Sequence, residues 1–455
     1  MRREIKRYIA NPYDLNKIDI DMVKKNILKE IEIKEGMFDI KYPPNANVQI
    51  DSNGKQKYNY SFYTGSGGNI YLYWRQYLFY KKSPKYLNKF KIALETNLNV
   101  LNEIKKNSYT NSFFMGDSGI YLFCCIYGLE TNNDKYFKEY FNKLINLKHL
   151  GDKKELELEL LYGITGYLYS LLFLKKYLIS IKQLKSFVNE EMQLDSLIIV
   201  LFYELIKKGI YFMQKNNWDE CLLYPFPLNS NDKYFYLGAA HGLIGVIYML
   251  LCTIKLYPNL LSDKNYEINK KPLNLSKFLI KNLNYIKSIQ IKNGNFPDDV
   301  QGEDSGDKVH FCHGCVGAVH LFLLAEELFP KNDFDKIAKK CNNCLWERGL
   351  LYKGNGICHG MSGTCYAFMK LYIHSNDNIY LKEAGAVALA TFDEKIQSLV
   401  SNYSDPQRKR RGIPDTPFSL MEGDGGLLIM YYDLIALIEK DKDIMTKVLP
   451  GYEIF

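Results

Sequence analysis

An all-α fold, in which a ring of inner helices is wrapped by outer ones, is what this 455-residue sequence predicts, and three observations carry the prediction. Gly-x-x-Gly followed by an apolar run occurs seven times. The first and last copies start 358 residues apart, a mean interval of about 60, which exceeds the roughly 33 to 47 residues of helical solenoid repeats and suits two helices with their loops. The helix after each glycine pair is apolar nearly all round, as a helix buried on every side must be. The segments between, such as "DSLIIVLFYELIKKGIYFMQ" and "FLLAEELFPKNDFDKIAKKCNNCLWERGL", instead place apolar residues at three- and four-residue steps, as an outer layer must.

Taken in order, the inner helices begin at Gly65/Gly68 ("YTGSGGNIYLYW"), Gly116/Gly119 ("FFMGDSGIYLFCCIY"), Gly163/Gly166 ("LLYGITGYLYSLLFL"), Gly242/Gly245, Gly314/Gly317, Gly360/Gly363 and Gly423/Gly426 ("MEGDGGLLIMYYDL"). The paired glycines are expected to let backbones approach closely there and to leave free amide N–H groups facing a central cavity. Leu237 to Ile254 lacks any Asp, Glu, Lys or Arg and imitates a membrane span. It contains His241 and three glycines, and Lys255 follows at once, so a buried core helix is expected. The polar stretches near 36–58 and 258–276 read as mobile loops. Nothing marks a second domain, so residues 1–455 are expected to form one.

Composition narrows the function. A hydrophobic content of 47% is ample for a large core, and a net charge of +8 spread over 59 basic and 51 acidic residues implies no basic face for nucleic acid. "MRREIKRYIANPYDLN" has no apolar segment behind its charges and "GYEIF" no lipidation pattern, so neither a secretory signal nor an anchor is expected. Ten cysteines without a signal point to free thiols in a reducing cytoplasm, where metal ligation is the natural use of clustered ones.

Three of the seven repeats carry His or Cys-His immediately before the first glycine. That places His241, Cys312, His313, Cys358 and His359 at the same end of inner helices, facing one cavity. Thiolate and imidazole suit tetrahedral zinc: four such ligands close a structural site, whereas three leave a reactive position open. A rival grouping pairs Cys312/Cys315 with Cys341/Cys344 as a four-cysteine ribbon. Against it, "KKCNNCLWE" reads as helix interior and Cys315 lies inside a glycine pair.

The sequence resembles the LanC and LanC-like proteins, the bacterial lanthipeptide cyclases and their eukaryotic relatives. The likeness runs through "NPY" at Asn11, "YTG" at Tyr63, "GDSG" at Gly116, "LYGITGYLYSLLF" at Leu161, "YLGAAHGLIG" at Tyr236, "NGNFP" at Asn293, "CHGCVG" at Cys312, "GLLYKGNGICHGMSG" at Gly349 and "PDTPFSLMEG" at Pro414. His313 after the first cysteine and "PDTPFSL" resemble the eukaryotic branch. The resemblance implies a double α-toroid of seven inner and seven outer helices. It implies one zinc on Cys312, Cys358 and His359 with the fourth position open to a substrate thiol, and His241 as the acid. His313, where bacterial members have tyrosine, is the second candidate acid. Glu159 stands where bacterial cyclases have a catalytic Asp, although "KKELELELLYG" also reads as a solvated helix edge, and Lys308 stands where they carry an Arg.

For the eukaryotic relatives the implied reaction is addition of glutathione to dehydroamino acids that arise in proteins when phospho-Ser or phospho-Thr loses phosphate. The implied partners are such proteins, phosphorylated proteins and kinases. Basic residues that would hold the carboxylates of glutathione match Arg7 and Lys353; the third match falls on Gly412, with Arg411 beside it, in the basic run "QRKRRG". The alternative is a non-catalytic sensor or scaffold that binds zinc and glutathione, and a peptide cyclase is a third, weaker reading because no lanthipeptide precursor accompanies the sequence. His149, His310, His320 and His374 read as core histidines.

Overall fold

The computed structural model describes residues 7–50, 54–57, 59–103, 111–147, 156–181, 187–262, 267–268, 271–302, 306–405, 410–411, 416–441 and 450–452. Its helices are α1 (Ile20–Lys41), α2 (Gly67–Phe79), α3 (Pro84–Glu103), α4 (Ser118–Glu130), α5 (Asp134–Asn146), α6 (Ile164–Ser180), α7 (Val188–Lys215), α8 (Leu243–Leu256), α9 (Leu275–Ser288), α10 (Cys315–Leu328), α11 (Phe334–Arg348), α12 (Met361–Ser375), α13 (Asn378–Ala390), α14 (Glu394–Asn402) and α15 (Asp424–Ile438). Extended structure among the described residues amounts to three two-residue hairpins and isolated bridges.

Each glycine pair is followed by a buried helix: α2, α4, α6, α8, α10, α12 and α15. In α8 every residue from Leu243 to Ile254 is buried. This is the stretch that imitates a membrane span, and no described helix is long and apolar enough to cross a membrane. Between the buried helices run amphipathic ones. In α5, Phe137, Tyr140, Phe141 and Leu144 fall on one face, Asn133 caps the Tyr136 N–H, and Asp134 and Lys143 complement the helix dipole. The seventh outer helix comes from the start of the chain. The α1 helix packs on α15 and α13, with Lys34 2.8 Å from Asp424 and the Glu35 carboxylate accepting from Tyr432 at 2.5 Å. The described residues thus give seven inner helices, seven outer ones and, in addition, α14. One boundary differs from expectation: α1 runs through Gly36 to Lys41, because Phe38 is buried and holds the last turn.

The chain forms two compact units. One comprises Met1–Lys106, Asp307–Val316 and Lys339–Glu453; the other Asn107–Gly306, Gly317–Ala338 and Ile454–Phe455. In the first, α15 packs against both α2 and α12. A buried ion pair, Arg75 with Asp433, ties α2 to α15, and the Tyr366 hydroxyl of α12 donates to the same carboxylate at 2.8 Å. In the second unit α6 packs against α4 and α8, and Ser118 meets Ser170 at 2.9 Å. The second unit has a charged tie as well, Lys175 of α6 lying 2.5 Å from Glu191 and 2.8 Å from Asp195 of α7, and removing one partner of a buried ion pair costs about 3–5 kcal/mol.

The glycines let backbones approach closely where the inner helices begin, as expected, but what approaches is mostly the loop before the helix and not another helix. A Cβ on Gly245, Gly363 or Gly426 would lie 2.0, 2.3 or 2.1 Å from the carbonyl oxygen of the residue six earlier, Ala239, Ile357 or Leu420. The first glycines of these pairs meet their own loops in the same way. These three loops therefore curl under the start of their own helices, and only glycine leaves room, whereas at Gly68 a Cβ would meet Leu420 of another repeat at 2.9 Å. Nor are the amides free: the N–H groups of Gly65, Gly116, Gly163, Gly242 and Gly423 donate to the carbonyl four residues back.

Candidate metal centre and acid–base pair

The curled loops present their residues in register. Immediately before the first glycine stand Thr64, Met115, Tyr162, His241, His313, His359 and Glu422, all partly exposed, while the glycine after each is buried. One position earlier, neighbouring loops are joined through the backbone. In the first unit Cys312 N–H donates to Cys358 O (3.3 Å), Cys358 N–H to Met421 O (2.8 Å) and Met421 N–H to Tyr63 O (3.1 Å). In the second, Leu161 N–H donates to Ala240 O (3.3 Å). The side chains at this position are thus fixed relative to one another by main-chain bonds.

In the first unit the fixed side chains converge. One ligand atom each from Cys312, Cys358 and His359 lies within 4.8 Å of the other two, and this is the group of three or more metal-binding side chains found among the described residues. Two sulfurs and one imidazole nitrogen at such separations fit a tetrahedral thiophilic cation with one position left over. The electrostatics fit too. Both cysteines are buried. Cys312 is held well below the usual thiol range by the Cys358 S–H beside it and Cys358 is pushed up in turn, so without a cation the pair keeps one proton. Two adjacent buried thiolates need a positive charge between them.

Three residues around this group were not singled out by sequence reasoning. The Tyr63 hydroxyl donates to Cys358 Sγ at 3.0 Å, and burial raises its pKa, so it stays a donor. Glu422 Oε1 lies 3.9 Å from His359 Nε2. His310, expected to be an inert core histidine, has Nδ1 4.0 Å from Cys312 Sγ, and burial lowers its pKa to about 4, so it is neutral there. The signal for Tyr63 and Glu422 was register, since they occupy the Cys and His positions of other repeats. The rival four-cysteine ribbon does not form. Cys315 turns to Cys341 and Cys344, while Cys312 turns to Cys358.

The candidate cations divide. Tyr8 bridges Leu351, and the Arg7 carbonyl accepts from Tyr352 N–H at 3.2 Å, which sets the Arg7 backbone beside the turn that carries Lys353. Lys353 is close enough for its charge to help depress His310. The main chain of Arg411 pairs with Ser404, but its side chain lies outside the described residues, as does His149. His313 is partly exposed, its carbonyl accepts from His310 N–H at 2.8 Å, and its proximity lowers the pKa of Cys312.

In the second unit Glu159 is buried, not on a solvated edge. Its carboxylate accepts from the N–H groups of Leu161 (2.7 Å) and Tyr162 (2.5 Å), and Oε2 lies 3.3 Å from His241 Nδ1. The His241 ring stacks on Phe226 (4.8 Å between centroids) and Tyr162 (5.8 Å). A carboxylate on one edge and aromatic faces alongside hold the ring in one orientation, and an imidazole so placed can carry a proton to a neighbouring group.

Comparison with known proteins follows the same lines. Residues 56–449 match the model of the lanthionine synthetase C-like family. The chain belongs to that family. It is 28% identical over 332 residues to "Glutathione S-transferase LANCL1" of Danio rerio, covering 71% of each chain. It is 26% identical over 299 residues to "LanC-like protein GCL1" of Arabidopsis thaliana, covering 65% of this chain and 58% of that one. Among solved structures nisin cyclase covers 92% of this chain and 98% of its own, with a TM-score of 0.56 at 16% identity. At that identity the likeness concerns the fold alone, and it bears out the LanC-like α-toroid that the repeats and motifs predicted.

Proposed function

We propose that this LanC-like protein adds the thiol of glutathione to dehydroamino acids in proteins or peptides, forming a thioether, with one zinc ion held by Cys312, Cys358 and His359. The observation that carries the reading is the convergence of two sulfurs and one imidazole within 4.8 Å. A free thiol has a pKa of about 8.5 and only a few per cent is thiolate at pH 7. The zinc supplies the Lewis acidity that deprotonates a thiol near neutrality. The donor set of two thiolates and a neutral imidazole leaves such an ion formally neutral, so a thiolate can still join it.

The chain's own residues do the rest. Lys353 and Arg7, with Arg411 as a third contact, hold the carboxylates of glutathione. The new S–C bond forms at the β-carbon of the dehydroamino acid, and the negative charge that develops on the carbonyl side must be quenched by a proton at the α-carbon. His241, with Glu159 3.3 Å from its Nδ1, is the first candidate to deliver that proton; His313 is the second. The thiol proton and the delivered proton balance, and nothing else leaves. All ten cysteines are free thiols, which suits a reducing compartment such as the cytoplasm. The closest support outside the site is the name of the zebrafish relative, a glutathione S-transferase.

Mass spectrometry of a dehydroalanine peptide incubated with glutathione and protein tests the reading. A glutathione adduct formed by wild type and not by Cys312→Ala is expected. If both behave alike while glutathione still binds, the protein is a zinc- and glutathione-binding sensor or scaffold instead.

A further inference from the structure

We propose that Tyr63 is a positioning residue for the metal centre: its phenol donates a hydrogen bond to the Cys358 sulfur and so sets how much of that ligand's charge reaches the bound cation. The inference rests on the reading of Cys312, Cys358 and His359 as metal ligands.

Three observations carry it. The Tyr63 hydroxyl lies 3.0 Å from Cys358 Sγ, within the reach of an O–H donor to sulfur. Tyr63 occupies the same register position as Cys312 and Cys358, two residues before the first glycine of its repeat. It is also wired to them through the backbone, because Cys358 N–H donates to Met421 O at 2.8 Å and Met421 N–H donates to Tyr63 O at 3.1 Å. The phenol is therefore delivered by the same main-chain frame that places the sulfurs. The loop that begins the first inner helix serves a site whose ligands come from the fifth and sixth.

The chemical consequence has a sign. A thiolate that accepts a hydrogen bond gives less charge to its metal, which leaves the metal a stronger Lewis acid toward an incoming thiol. The same bond orients the Cys358 side chain. Removing the phenol should make Cys358 a more electron-rich but less well held ligand. Outer partners of metal ligands are typically worth about 10- to 100-fold in affinity or activity.

The test uses the full chain loaded with cobalt(II), whose sulfur-to-metal charge-transfer band reports directly on the ligand sulfurs, together with metal affinity measured against a chelator. For Tyr63→Phe we expect one equivalent of metal still bound, a charge-transfer band moved to lower energy, and affinity reduced about tenfold. Band and affinity both equal to wild type would overturn the proposal. Because the phenylalanine variant could fail to fold, a fluorinated tyrosine placed at position 63, a stronger donor, gives a second arm: its band should move to higher energy, and an unmoved band overturns the proposal. Adduct formation separates this inference from the proposed reaction. If the bands move while neither wild type nor variant makes adducts, the reaction is wrong and the role of Tyr63 stands. If wild type makes adducts and the bands do not move, the reverse holds.

Discussion

Two pairs of loops in this molecule share one backbone device and differ in chemistry. Cys312 and Cys358 in the first unit, and Leu161 and Ala240 in the second, occupy the same register position, and in each pair an N–H of one loop donates to the carbonyl of the other at 3.3 Å. Where that position holds two cysteines, the sulfurs converge with His359 into a metal-sized cluster. Where it holds leucine and alanine, the buried position is inert, and what remains is the partly exposed pair that follows, Tyr162 stacked on His241 with Glu159 behind. The frame fixes where a side chain stands, and residue type at two positions decides whether two sulfurs converge there or an imidazole and a carboxylate stand beside an apolar position.

The comparison breaks most visibly at the metal ligands. Cys358→Ser should reduce bound metal from about one equivalent to almost none by elemental analysis, whereas Cys344→Ser should retain it. Loss of metal in the second variant would revive the four-cysteine ribbon. The converse holds for the other pair of loops: His241→Asn should leave metal content untouched and slow adduct formation about 10²- to 10⁴-fold in a mass-spectrometric time course. An unchanged rate would move the acid role to His313.

Two smaller effects test the frame itself. Gly363→Ala and Gly245→Ala, one in each unit, each drive a Cβ into a backbone carbonyl, at 2.3 and 2.0 Å. Both should lose about 3 kcal/mol or more in denaturant melts. If one is tolerated, the two regions do not share the device.

The last and smallest effect concerns buried carboxylates. In the second unit Glu157 accepts from Leu228 N–H with both oxygens, at 3.0 and 2.9 Å. In the first, Glu383 has one bond from Asn342 at 3.1 Å, its Oε2 has no hydrogen-bond partner among the described residues, and burial raises its pKa to about 7. The native state therefore holds a proton that the unfolded chain has released. The stability this contributes is complete below about pH 4.5 and is lost as pH rises through 7. Glu383→Gln should match wild type near pH 4.5 and exceed it by about 2 kcal/mol at pH 8 in denaturant titrations. Parallel curves at the two pH values would show that Glu383 ionises freely in the fold.

What the sequence determined on its own was everything that repeats or matches locally. Seven glycine pairs, each before an all-apolar run, gave the helix count and the inner and outer layers, because periodicity and burial are properties of short segments. The Cys-His-Gly triplets and the family motifs gave Cys312, Cys358 and His359, and the matched positions gave His241 and Glu159. The close approach of backbones at the glycines was legible, but the amides of Gly65, Gly116, Gly163, Gly242 and Gly423 were misread as free, because only the folded loop shows the carbonyl four residues back to which each donates. The sequence also passed over Tyr63, His310 and Glu422, which differ in type from the residues they serve and lie far from them along the chain. Tertiary structure alone decided which cysteines face each other, which carboxylate is buried against His241, and that Tyr63 points at a sulfur 295 positions away. Those facts depend on hydrogen bonds between distant loops, and a hydrogen bond of that kind leaves no pattern in either segment by itself.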